Sequence, residues 1–148
     1  MTRPEVSFYV LLTRSLRERQ LFACKLIEKA YRNSCFCYVF TDSSKLSQTL
    51  DDLLWTFRTG SFIPHEIFSG EIPAHENKIL IGQLSAPVDW QKTIINLSSE
   101  YPPDFQNAER IFEILDDSDD TKEAGRLRYR HYQQMGFSIT THKIPCQD

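Results

Sequence analysis

Neither glycine pattern that cradles phosphates, GxGxxG or GxxxxGK[ST], occurs anywhere in the chain. A backbone nest around a nucleotide is therefore not expected. The GxSxG elbow of α/β hydrolases is missing as well, and no cysteine sits in a phosphate-loop context. No window approaches the apolar length of a membrane span, and the opening run, FYVLL, ends before Arg14, too short for a signal peptide. Of the four cysteines, Cys24, Cys35, Cys37 and Cys146, no pair is spaced CxxC, so a zinc site is not expected. Cys35 and Cys37 alternate on a predicted strand and should sit on one face as small apolar residues with free thiols. Excess positive charge is absent too: 17 Lys and Arg stand against 20 Asp and Glu, a net −3, with a pI near 5.8. Without a global basic field, strong autonomous binding to DNA or RNA is not expected. These absences describe a reducing, cytoplasmic protein.

What is present is the composition of a soluble globular chain, 41% hydrophobic and 25% charged. Its 148 residues suffice for a single domain, 1–148, that buries its own core. Residues 6–12 form a continuous apolar run, the pattern of a strand covered on both faces. Ser15 then opens a helix in which Leu16, Gln20, Ala23, Ile27 and Ala30 recur at helical spacing, closing near Arg32 and a left-handed Asn33. A second buried strand, 35–41, leads through Asp42-Ser43-Ser44 into a helix over 45–55 with Leu46, Leu50, Leu53 and Leu54 inward. Strands follow at 78–81, 93–97 and 110–115, a helical turn after Tyr101-Pro102-Pro103, and an edge strand at 137–144. Alternating strands and helices predict an α/β, Rossmann-like, mostly parallel sheet with helices on both faces and no nucleotide-binding loop.

Residues 56–77 form a loop marked by Gly60, Pro64, Gly70 and Pro73 that also carries Phe57, Phe62, Ile63, Ile67 and Phe68, with Trp55 just before it. So many large apolar residues either tuck into a satellite core or form a patch for a partner protein.

Residues 116–136, DDSDDTKEAGRLRYRHYQQMG, read as one helix capped by Ser118, Asp119 or Asp120 and closed by Gly136. Helical spacing puts Ala124, Leu127, His131 and Met135 toward a core and Lys122, Arg126, Tyr129 and Gln133 outward, with Arg130 on the flank. Lys122, Arg126, Arg128 and Arg130 against Glu123 give a local 4 − 1 = +3 on an acidic chain. A positive face holding an aromatic suits a small anionic partner with an apolar part, such as an acidic peptide or a free C-terminal carboxylate. It equally suits a solvated helix surface whose cations answer the helix dipole.

A different class of function is a small Mg-dependent α/β hydrolase or phosphatase, with Asp116, Asp117, Asp119 and Asp120 around the cation. The same acids also stabilise a helix N-terminus. His65 is a loop residue with no nucleophile beside it, His131 a core histidine, and His75 and His142 lack ligand spacing.

Three stretches in order, FYVLL, LLWTFRTGSFIPHEI and RYRHYQQMGF, resemble the chi subunit of bacterial DNA polymerase III, an accessory protein of the clamp-loader complex. The resemblance spans nearly the whole chain. It implies a Rossmann-like fold without catalysis or cofactor, a subunit of a DNA-directed DNA polymerase that touches DNA only indirectly. Its implied partners are the psi subunit and the acidic, Phe-ended C-terminal tail of single-stranded DNA-binding protein. By position, Lys122, Arg126, Tyr129, Arg130 and Leu115 would meet the tail. Trp55 and Phe62 would face psi or a repair helicase competing for the same surface.

Overall fold

The computed structural model describes residues 3–145; Cys146 lies outside them. Seven strands, all parallel, form one sheet in the order β3-β4-β2-β5-β6-β1-β7. They are β1 (Glu5–Leu11), β2 (Tyr38–Phe40), β3 (His65–Ile67), β4 (Ile79–Gly82), β5 (Thr93–Asn96), β6 (Arg110–Leu115) and β7 (Ser138–Ile144). Helices α1 (Leu16–Arg32) and α2 (Ser44–Thr56) cover one face, and α3 (Asp119–Gln134) covers the other. Strands β2, β4 and β5 are buried along their whole length, which is why their centres read as apolar, YVF, ILI and II.

The first two helices begin where their caps stand. Ser15 accepts from the Glu18 amide and Ser43 from the Leu46 amide, each satisfying a donor that the helix leaves free. Four expectations are corrected locally. Leu16 is more than half exposed, because it is the first residue of α1, a turn before the first buried residues, Arg19 and Gln20. The left-handed residue after α1 is Ser34, not Asn33. The expected strand at 35–41 forms a ladder only at Tyr38–Phe40, so Cys35 and Cys37 precede it; Cys37 is fully buried, while Cys35 is half-buried and donates to Thr93 Oγ1. The loop at 56–77 contains β3, and the two readings of its apolar residues divide between them. Ile63 and Phe68 are core, whereas Phe62 is 82% exposed.

Candidate functional site

Helix α3 presents a different inner face from the expected one. Gly125, Arg128 and Tyr132 are buried, while Leu127 is 58% exposed and His131 lies at the surface, edge-on to the Tyr101 ring. The cause is a carboxylate inside the core. Glu113, wholly buried in mid-β6, receives Arg128 Nε at 3.1 Å and Nη2 at 3.0 Å, the Tyr132 hydroxyl at 2.9 Å and Asn96 Nδ2 at 3.1 Å. Arg128 also donates to the Ser99 carbonyl. A buried acid requires a counter-charge and a full set of donors, so α3 turns its arginine, not its leucine, toward the sheet. Burial first, and the Glu113 carboxylate beside it, raise the Tyr132 hydroxyl far above its ordinary range and keep it a donor. The close approach of α3 to the end of β6 depends on Gly125, where a Cβ would come up against Leu115 Cδ1.

With Arg128 withdrawn from the surface, the outward cations are Lys122, Arg126 and Arg130. Lys122 is half-buried and pairs with Asp117 at 3.1 Å. Arg126 and Arg130, one turn apart, are exposed and make no ion pair among the described residues. Tyr129 lies half-buried with its ring 5.3 Å from that of Phe8 in β1. Leu115, 5% exposed, lies beneath the helix and not on its outer surface. The four α3 residues therefore share a surface, and Leu115 supports it from below.

The second set stands at the opposite edge of the sheet. Trp55, 61% exposed in the last turn of α2, leans on the His65 ring at 4.9 Å. His65 belongs to β3 and is held by the Asp51 carboxylate and by the Ile63 and Asp51 carbonyls. Sequence reasoning missed Glu28. This buried carboxylate in α1 receives Arg58 at 2.8 Å and the Ser61 hydroxyl, fixing the segment that carries Phe62. Its signal was an acid on the apolar stripe of α1, one residue after Ile27.

At the C-terminal edge of the sheet, where related architectures hold nucleotides, a cleft of about 190 Å³ is lined by Arg19, Asp42, Ser98, Ser99, Asp120 and Arg128. Arg19 fills this crevice from α1, donating to the Ile114 and Leu97 carbonyls. Two of the four acids of the hydrolase alternative are engaged locally, Asp116 by Ser118 and Asp117 by Lys122. Among the described residues, no three His, Cys, Asp or Glu side chains stand where they could hold a metal ion. Among them, too, no helix is long and apolar enough to cross a membrane.

The family model described as DNA polymerase III chi subunit, HolC, matches residues 1–140. The chain belongs to the chi subunit family. Membership places it among the subunits of DNA polymerase III, and so in DNA replication. One relative is the DNA polymerase III subunit chi of Pseudomonas aeruginosa PAO1, 30% identical over 145 residues, 98% of this chain and 99% of the relative. The subunit of the same name from Escherichia coli K12 is 25% identical over 120 residues, 80% of each chain. The matched residues, 1–140, include those of both candidate faces, the α3 surface and the Trp55–Phe62 edge.

Proposed function

We propose that this chain is a non-catalytic, cytoplasmic chi subunit acting as a single chi-like domain. It links the clamp loader, through psi, to single-stranded DNA-binding protein by gripping that protein's acidic C-terminal tail, and it meets DNA only through these partners. The observation that carries the reading is the pair Arg126 and Arg130, exposed and without an ion pair among the described residues, beside half-buried Tyr129. Guanidinium groups answer carboxylates, and the phenol supplies a flat apolar neighbour for a terminal aromatic. Lys122 adds a third cation at the helix start, with Leu115 as the apolar support below.

The sheet order also supports a linking role. β3, beside Trp55 and Phe62, and β7, beside α3, are opposite edges of seven strands, roughly 29 Å apart at the usual strand spacing. Two partners can sit there at once. A repair helicase using the Trp55–Phe62 edge would compete with psi and not with the tail.

A charge-assisted contact contributes about 1.5–3 kcal/mol and an aromatic contact about 0.5–1.5 kcal/mol. Set against the losses of association, these give an exchangeable complex of about micromolar affinity. Arg126→Ala is expected to weaken binding of a tail peptide at least tenfold. Titration of the peptide, followed by fluorescence anisotropy, measures it; an unchanged affinity refutes the tail assignment.

A further inference from the structure

The α3 surface borders the edge strand β7. β7 pairs in parallel with β1, and the register sets Val6 beside Ile139, Phe8 beside Thr141 and Val10 beside Lys143. Neighbours in such a ladder point to the same face of the sheet, and successive residues alternate between faces. Phe8 packs against Tyr129 and Tyr132 of α3, so Val10, Thr141 and Lys143 project on the α3 side. The residue between them confirms the alternation, since His142 stacks on Tyr9 at 5.0 Å on the opposite, α1 side.

Where α3 meets β7, Val10, Tyr129 and Ile139 are half-buried and pack on one apolar cluster. The axial positions follow from element geometry. Tyr129 stands over Phe8, and Val10 is two strand residues farther on, about 6.6 Å. Helix α3 runs back over β1, so the same distance is four to five helical residues. That is Ala124 or Gly125, and Gly125 does lie against Leu115, the β6 partner of Val10. Arg126, the next residue, is therefore within about one to two helical residues of the level of Val10 and its neighbour Lys143. Lys143 is exposed and makes no ion pair among the described residues.

We infer that α3 and β7 flank a binding trough over this apolar cluster, with Lys143 facing Arg126 across it as a second wall, so that an acidic peptide lies between helix and edge strand with cations on both sides. The inference rests on the tail reading above. It makes the site a cleft that encloses an extended acidic chain, where a helix face alone would offer contact on one side.

The test titrates an acidic peptide ending in a free phenylalanine carboxylate into the intact chain. Lys143→Ala is expected to weaken binding about three- to tenfold at roughly 50 mM salt, and Lys143→Glu further. Both losses should shrink as salt screens the contact. His142→Ala, on the far face, and an unchanged melting curve for each Lys143 variant serve as controls. If Lys143→Glu binds like the parent while Arg126→Ala is weakened, the second wall is wrong and the helix site stands. If neither variant weakens binding, the tail reading falls, and this inference with it.

Discussion

Arg128→Met is expected to destabilise the fold by about 3–5 kcal/mol, because it leaves the Glu113 carboxylate buried without its counter-charge. Met keeps most of the volume and helix propensity, so the loss reports the charge and not a cavity. Tyr132 and Asn96 still donate to Glu113. Two neutral donors do not replace a bidentate guanidinium in a site that is wholly buried. For a domain of this size, a loss of that order lowers Tm by roughly 10 °C or more. Adding Glu113→Gln should recover part of the deficit, since the amide keeps a carbonyl for Tyr132 and removes the stranded charge. Arg126→Ala, at the surface two residues away, should move Tm by no more than a degree or two. Thermal unfolding by circular dichroism distinguishes these outcomes, and an Arg128→Met variant that melts with the parent would mean that the pair is dispensable.

The same pair marks the limit of what the sequence reveals. The succession of strands and helices along most of the chain and the starts of α1 and α2 are legible because their causes are local: Ser15 and Ser43 cap where they stand, and the apolar centres of β1, β2 and β5 mark strands that are covered. The inner face of α3 is not legible in that way. Its buried residues, Gly125, Arg128 and Tyr132, keep helical spacing at steps of three and four, but a glycine and an arginine carry no apolar signal. Leu127 does, and it points outward. Only the acid in RIFEIL hinted otherwise, because Glu113 in mid-strand needs a cation from somewhere. Counting Arg128 among the surface cations overstated the positive face by one. The wall at Lys143 was equally hidden, since it depends on which side of β1 each residue of β7 falls. That is a long-range fact of register with no local cause.

Trp55→Ala combined with Phe62→Ala is expected to abolish psi binding while leaving the tail titration unchanged. Both side chains are mostly exposed, so truncation removes little folding energy and the effect falls on association. Large exposed aromatics at an interface centre lose about 2–4 kcal/mol each when cut to alanine. Their joint loss corresponds to a thousandfold or more. The Trp55 ring rests on His65, itself held by Asp51, and Phe62 follows a segment tied to Glu28 through Arg58 and Ser61. Glu28→Gln, which weakens the tie without touching a contact residue, should therefore reduce psi affinity by a smaller amount, chiefly through faster dissociation. Pull-down with purified psi and biosensor kinetics measure both. Retention of psi by the double variant would remove this edge from consideration. Loss of psi together with loss of the tail would show that the two edges of the sheet are coupled, contrary to their separation across seven strands.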